Sequence, residues 1–190
     1  MDDFLCLLDP PEVVAPRLLG SLLVREVDGH RLVGRIVETE AYHQSDAASH
    51  SYKGKTPRTE VMFGPPGRLY VYFTYGMHYC CNVVTGPAGE GSAVLIRALE
   101  PVEGEVFMAK NRQGVAVGQL TNGPAKLCQA LDIDKTLNGH DLRIVPLQLE
   151  LLTPLLPEQI VQTTRIGISQ AKDVPWRFYE KNNTFVSKST

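Results

Sequence analysis

Gly34-Arg-Ile-Val-Glu-Thr-Glu-Ala-Tyr42 is the stretch around which the rest of the sequence can be organised. Val, Ile, Thr and Tyr favour β-strands, and the preceding Asp28-Gly29 pair is a hairpin turn signal. Side chains alternate between the two faces of a strand, so every second residue of this stretch should share a face. The face of interest carries Ile36, Glu38, Glu40 and Tyr42.

This face would place two carboxylates beside an aromatic ring on a rigid surface. A carboxylate in that position can hold and deprotonate a water molecule, which is the work of a general base. The alternative is the solvated face of an edge strand, because charged residues are mostly exposed. The stretch alone leaves both interpretations open.

Length and composition indicate an ordinary globular protein. The 190 residues predict one domain over 1–190, and the 43% hydrophobic content is enough for a core. No apolar run reaches the roughly 20 residues that span a bilayer, and the acidic start Met1-Asp2-Asp3-Phe4 lacks the basic residues of a secretory signal. We therefore expect a soluble cytoplasmic protein without membrane contact, associated with the nucleoid if the source is bacterial.

The four cysteines do not have the spacing of a metal site. Cys6, Cys80, Cys81 and Cys128 form no CxxC motif and no Cys/His ligand set, so neither zinc nor another cofactor is expected. We expect them to be reduced thiols, the usual state in the cytosol.

The net charge of −2 argues weakly against nucleic-acid binding, because DNA-binding domains usually carry a basic surplus. The charge is unevenly distributed, however. Between Ser51 and Tyr70, four basic residues face the single acid Glu60. They are Lys53, Lys55, Arg58 and Arg68. Such a patch is an adequate phosphate footprint, although a solvated loop would look the same.

The pattern along the chain predicts an α+β fold with a largely antiparallel sheet. Helices are expected over 10–19, 103–111 and from 124 to about 131, where a proline follows a glycine at the helix start. Strands are expected over 22–27, 30–42, 68–75, 77–85, 92–99, 141–147, 161–168 and 174–179. The polar segment 43–67 has turn signals and no period, which is typical of a functional or disordered loop.

Two further features are unusual for a plain structural sheet. Tyr75 and Met77 lie at the tip of the predicted hairpin, where they either fold back to pack or protrude as an apolar wedge of the kind that unstacks bases. Arg97 interrupts an apolar strand and needs a carboxylate partner, for which Glu38, Glu40 and Glu100 are candidates.

Seven segments, in order, closely resemble the alkyladenine (3-methyladenine) DNA glycosylase family over about residues 13–187. No single segment would suffice, but their co-occurrence is specific. The segments are Gly34-Arg-Ile-Val-Glu-Thr-Glu-Ala-Tyr42, Asp46-Ala-Ala-Ser-His50, Met62-Phe-Gly-Pro-Pro-Gly-Arg-Leu-Tyr-Val-Tyr-Phe-Thr-Tyr-Gly-Met77, Leu95-Ile-Arg-Ala-Leu-Glu-Pro101, Asn122-Gly-Pro-Ala-Lys-Leu-Cys-Gln-Ala-Leu131, and Arg165-Ile-Gly-Ile168 with Trp176-Arg-Phe-Tyr179.

The resemblance implies a role for each matching residue. Glu40 corresponds to the general base and Arg97 helps hold its water, with a backbone carbonyl near Ile166 as a third contact. Tyr42 and His50 would sandwich the extruded base, with Tyr72 as a further wall. Asn82 would discourage guanine through its exocyclic amine. Tyr75 would fill the vacated place in the duplex, with Met77 beside it. Independently of the resemblance, the basic patch makes Lys53 and Arg58 possible phosphate contacts.

The fold and function implied are those of a single compact domain with a curved sheet, flanking helices and a protruding β-hairpin. The activity would be hydrolysis of the N-glycosidic bond of alkylated purines in double-stranded DNA, with water as nucleophile and no lyase step. The substrates would include 3-methyladenine and 7-methylguanine, with hypoxanthine and ethenoadenine as open candidates. We expect a monomer without an obligate protein partner.

Two other functions are compatible with the same residues: lesion binding without turnover, and hydrolysis of small nucleosides. The sequence also departs from the family pattern in two places. The interval from Glu40 to His50 is one residue shorter than in some members, and Cys81 replaces a larger apolar residue, which would enlarge the pocket floor.

Overall fold

The computed structural model describes residues 3–74 and 76–187, which contain eight β-strands and three α-helices. The strands are β1 (Leu22–Val27), β2 (His30–His43), β3 (Leu69–Thr74), β4 (His78–Val84), β5 (Ser92–Glu103), β6 (Leu147–Glu150), β7 (Ile160–Thr163) and β8 (Arg177–Glu180). The helices are α1 (Pro11–Arg17), α2 (Glu105–Asn111) and α3 (Pro124–Ala130).

All eight strands form one antiparallel sheet, so the predicted α+β class is confirmed. Six of them follow the order β3-β4-β5-β2-β1-β6, while β8 pairs with both β2 and β7. The β1–β2 hairpin turns at Asp28 and Gly29, whose φ angles of 50° and 74° are both positive. A two-residue hairpin turn with positive φ at both positions matches the right-handed twist of the strands, which is why Asp-Gly is favoured there.

The second half of β2 lies in the interior of the sheet. Residues Glu38–Glu40 pair with β5 on one side and with β8 on the other. The expected alternation is interrupted here by bulges in the β2–β5 register, one of them between Ile36 and Glu38. Ile36, which we expected on the face of the two glutamates, instead packs in the main hydrophobic core.

The two faces of the sheet have different coverings. The main core lies on the face that carries Leu69, Val71, Cys81 and Val83, and it includes buried residues of α1 and α3. Burial of this apolar surface is the main favourable term that holds the helices to the sheet. The opposite face of β3, β4 and β5 lies outside this main core.

The long segment 43–67 is ordered and packs against the sheet. It contains the short 3-10 turns His50–Lys53 and Glu60–Phe63, and Met62 anchors it in a small second cluster with Tyr70, Val84 and Ala93. Gly91 allows the close approach, because an added Cβ would come within 2.7 Å of the Ser51 Cβ. The Ser51 hydroxyl also donates to the Gly91 carbonyl over 2.8 Å. This segment is therefore a fixed wall and not a disordered loop.

Several strand boundaries differ from expectation towards the end of the chain. The strand predicted over 141–147 is wrong: the Arg143 amide donates to the Asp141 carboxylate over 3.0 Å in a turn, and β6 begins only at Leu147. Pro146 has no amide to donate to a sheet. Strand β7 ends at Thr163, short of the predicted residue 168, and β8 begins at Arg177. None of the helices within 3–74 and 76–187 is long and apolar enough to cross a membrane.

Candidate active site

Glu40 is fully buried, and both of its carboxylate oxygens have partners. Oε1 accepts a hydrogen bond of 2.8 Å from the Ile166 amide and lies 3.3 Å from Nη1 of Arg97. Oε2 accepts a hydrogen bond of 2.8 Å from the Tyr42 hydroxyl. These donors stabilise the ionised form of the carboxylate, which would otherwise be costly to bury.

Arg97 joins Glu40 to a second buried carboxylate. Its Nε lies 3.3 Å from Oε1 of Glu38 as an ion pair, and Nε of Arg177 donates a hydrogen bond to the same oxygen over 2.6 Å. Burial alone would lower the pKa of Arg97, but the charges of Glu40 and Glu38 more than offset this and raise it. The predicted carboxylate partner of Arg97 thus exists, and it is both Glu38 and Glu40 at once.

The amide and hydroxyl of Ser187 complete the shell of Glu38, donating over 2.7 Å and 2.9 Å. Two carboxylates and two guanidiniums therefore form one buried cluster that is balanced in charge. Such a cluster is stable only while every member is paired, so it fixes the position of Arg97 beside Glu40.

A cavity of about 620 Å³ opens beside this cluster, on the face of the sheet opposite the main core. Paired residues across antiparallel strands point to the same face. The register pairs Tyr70 with Asn82, Asn82 with Leu95, and Leu95 with Glu40. The cavity is lined by Tyr42, Ala47, Ala48, His50, Met62, Tyr70, Tyr72, Thr74, Cys80, Asn82, Leu95, Arg97, Pro124 and residues 166–170.

Three of the lining side chains form an aromatic wall. The His50 ring stands edge-on to Tyr72 with centroids 4.6 Å apart, and its Nδ1 lies 3.1 Å from the Tyr70 hydroxyl. Burial and the nearby charge of Arg58 lower the pKa of His50 to about 4, so the ring is neutral at pH 7. Burial also raises the pKa values of Tyr42 and Tyr72. The wall is thus uncharged and offers ring faces to a flat ligand.

The floor of the cavity is formed by alternate residues of β4. Asn82 is buried, and its side-chain amide donates to the Tyr70 carbonyl over 3.0 Å, which fixes the orientation of the amide group. Cys80 lines the cavity, and burial raises its pKa to about 11. Cys81, which we expected to affect the pocket floor, instead points into the main core. The residues of β4 that line the cavity are therefore Cys80 and Asn82.

Most of the residues implied by the resemblance are brought together at this cavity, but not all are equally accessible. Tyr42, His50, Tyr72, Asn82, Arg97 and Ile166 line it. Glu40 lies behind this lining, with no exposed surface of its own. The contact seen at Ile166 is through its amide N–H, whereas the resemblance had suggested a nearby carbonyl.

The remaining predicted residues that the structure describes do not line the cavity. Arg58 is exposed, with Cζ 5.9 Å from the centre of the Tyr72 ring, and Lys53 is exposed on the first 3-10 turn. Met77 is 69% exposed at the hairpin tip. Tyr75 lies outside the described residues.

Sequence reasoning missed one ion pair that supports the site. Arg165 pairs with Asp46, and both side chains are almost completely buried. Both residues lie within the segments of the resemblance, but nothing in their local sequence indicates that they meet across 119 positions. No group of three His, Cys, Asp or Glu side chains in the described part of the chain is arranged to ligate a metal ion.

Comparison with known proteins agrees with the site. A methylpurine-DNA glycosylase family model matches residues 6–184. A Carboxydothermus hydrogenoformans protein, "Putative 3-methyladenine DNA glycosylase", is 60% identical over 179 residues, which are 93% of each chain. Proteins of the same name from Methanoculleus marisnigri and Francisella tularensis subsp. tularensis are 52% and 51% identical over 180 and 177 residues, 92% of each chain.

Proposed function

The chain belongs to the methylpurine-DNA glycosylase family, and from this we propose that it excises alkylated purines from double-stranded DNA as a monomer. The purine is extruded into the cavity, and water activated by Glu40 hydrolyses its N-glycosidic bond. The products are a free base and an abasic site. The substrates are 3-methyladenine and 7-methylguanine, with hypoxanthine and ethenoadenine as further candidates.

The observation that carries this proposal is a buried, arginine-paired glutamate directly behind a cavity with an uncharged aromatic wall. Glu40 is held by Arg97 and the Ile166 amide on one oxygen, while its other oxygen accepts a hydrogen bond from the Tyr42 hydroxyl. We propose that this second oxygen receives the water once the Tyr42 hydroxyl gives way to it. A carboxylate there also stabilises the positive charge that develops on the sugar.

The cavity suits a cationic purine. Stacking between Tyr42 and the neutral ring of His50 adds no competing positive charge, and aromatic faces attract cations. Purines alkylated on a ring nitrogen are cationic and leave readily, so little acid catalysis is required. For this reason no residue is assigned as a general acid.

The proposed phosphate contacts are exposed residues near the cavity in space or in sequence. Arg58 lies over the Tyr72 ring, Lys53 follows His50 by three residues, and we assign both to phosphates. Tyr75 and the exposed Met77 are assigned to the gap that the extruded base leaves, which offsets some of the few kcal/mol that extrusion costs.

The decisive experiment compares the wild type with Glu40→Gln on a duplex that contains 3-methyladenine. General-base catalysis contributes about 10²–10⁴-fold, so the variant should lose that much of the single-turnover rate while it still binds lesion or abasic duplex. Glu100→Gln, on the part-exposed ion-pair cluster of β5, is the matched control. Base release by Glu40→Gln at the wild-type rate would refute the assignment.

The same assay separates the competing functions. A lesion-binding protein would bind the duplex without releasing base, and a nucleoside hydrolase would act on free nucleosides with no preference for DNA. A monofunctional enzyme leaves the abasic strand intact and forms no adduct that borohydride can trap.

A further inference from the structure

The buried pair of Asp46 and Arg165 lies directly behind the cavity wall. Arg165 donates through Nη1 to both the Asp46 carboxylate and the Ala41 carbonyl, the latter over 2.9 Å. The other Asp46 oxygen accepts from the Ala48 amide over 3.0 Å. The side chains are 0% and 3% exposed, so the two charges compensate each other in a medium that screens them poorly.

Arg165 is stacked on the ring of Tyr42. Its Cζ lies 4.8 Å from the centre of that ring and 5.5 Å from the ring of Trp176. Tyr42 lines the cavity, whereas Arg165 has no exposed surface and does not line it. The guanidinium therefore occupies the face of Tyr42 that points away from the cavity.

We propose that Asp46 is a specificity-determining residue, which neutralises Arg165 and so allows the Tyr42 ring to accept a positively charged purine on its cavity face. This inference rests on the proposed function. It deepens that function by naming the residue that determines whether the site prefers cationic over neutral bases.

Without the charge of Asp46, the Tyr42 ring would stand between two cations, the Arg165 guanidinium and the alkylated base. A base stacked at a centroid distance of about 4.5 Å would lie roughly 9 Å from the Arg165 guanidinium. At that separation an uncompensated charge repels a cation, in the part-buried dielectric of a protein, by enough to change affinity about tenfold. A neutral base of the same shape would be almost unaffected.

The test uses two duplexes that differ only in the charge of the lesion. One contains 7-methylguanine, which is cationic, and the other contains its neutral isostere 7-deaza-7-methylguanine, both on 2′-fluoro sugars that slow base loss. The ratio of the two dissociation constants measures the preference for charge.

Three variants should move this ratio in different directions. Asp46→Asn leaves Arg165 uncompensated and should lower the preference for the cationic lesion about tenfold. Arg165→Met leaves the carboxylate alone and should raise the preference. The double variant Asp46→Asn/Arg165→Met should return to within about threefold of the wild type, since neither charge remains.

A purely structural role for the pair would weaken binding of both lesions and leave the ratio unchanged. Glu105→Gln removes an exposed charge from the first turn of α2 and serves as the control for total charge. Circular dichroism establishes which variants fold. If Asp46→Asn does not fold, the other two variants still test the inference. The preference for the cationic lesion should rise in Arg165→Met and return to near the wild-type value in the double variant.

The inference is overturned if the two single variants move the ratio in the same direction, or if neither changes it more than about twofold. The proposed function fails separately, if the wild type binds the 7-methylguanine duplex no better than an undamaged one. Failure to bind the 7-methylguanine duplex preferentially would refute both the proposed function and the role of Asp46. An unchanged ratio in the variants would refute only the role of Asp46.

Discussion

The hydroxyl of Tyr42 donates a hydrogen bond to Oε2 of Glu40 over 2.8 Å, although the ring of the same residue faces the cavity. One side chain thus serves both the wall that would hold a base and the carboxylate that would attack the sugar through water. The two contributions can be separated by substitution, because the ring and the hydroxyl can be removed independently.

Tyr42→Phe removes only the hydroxyl and should leave lesion affinity and single-turnover excision within about threefold of the wild type. Tyr42→Ala removes the ring and should reduce lesion affinity by the roughly 1–3 kcal/mol of one base-stacking contact. Binding and excision are measured on the same duplex. A phenylalanine variant as defective as the alanine variant would show that the hydroxyl, not the ring, is essential.

Glu38→Gln should destabilise the fold more than most substitutions. Glu38 pairs with both Arg97 and Arg177, and its loss would leave these two buried guanidiniums with the single charge of Glu40 between them. Breaking a buried pair costs about 3–5 kcal/mol, which corresponds to a melting temperature lower by roughly 6–20 °C for a chain of this size.

Glu100→Gln provides the comparison for Glu38→Gln, because Glu100 pairs with Arg35 where both side chains are part exposed. Its cost should be below about 1 kcal/mol, as for other ion pairs near the surface. Thermal unfolding of the two variants measures the difference. Equal melting temperatures would mean that the Glu38 cluster has no special structural role.

His50 should make stability depend on pH in a defined interval. Its pKa falls from the ordinary 6.5 to about 4 in the folded protein, through burial and the charge of Arg58. The unfolded chain then binds a proton that the folded chain does not, so stability should fall as the pH is lowered from about 6.5 to about 4. The effect should be modest, because the side chain is part exposed and water screens it.

Urea unfolding of the wild type and of His50→Gln at pH 7 and pH 5 tests this. The wild type should lose more stability between the two values than the variant does. His78→Gln, which removes an exposed histidine from the hairpin, controls for the loss of any imidazole. An equal pH response in the wild type and in His50→Gln would contradict the prediction.

Tyr75→Ser should weaken binding to a lesion duplex more than it slows excision from a single strand. A side chain that fills the gap in a stack has no such role where no stack exists. The neighbouring hairpin residues agree with an exposed tip, since Met77 is 69% and Phe73 51% exposed. If Tyr75→Ser reduced activity equally on single-stranded and double-stranded DNA, the assignment of Tyr75 as a wedge would be wrong.

Features that depend on sequence neighbours were predictable. The Asp28-Gly29 turn, the Pro124 helix start and the shared face of Glu40 and Tyr42 all follow from local preferences and the period of a strand. The need of Arg97 for a carboxylate also followed, because an unpaired guanidinium is too costly in an apolar strand. These signals located the face that carries the candidate site before any tertiary contact was known.

Features that depend on distant segments were not predictable in the same way. Glu38 looked equivalent to Glu40, and it is distinguished as a structural acid by Arg177 and by Ser187, which lies 149 positions away. The bulge that turns Ile36 into the core is likewise set by the partner strand. The segment 141–147 has a strand-like composition, but the turn between Asp141 and Arg143 and the lack of an amide at Pro146 override that preference.

The contacts between Ser187 and Glu38 have a consequence for the biosynthesis of the protein. The buried charges cannot all be matched until the residues around position 187 have been synthesised and packed, so Arg97 becomes fixed late in biosynthesis. A chain that stops before Ser187 would lack both hydrogen bonds that this residue donates to Glu38.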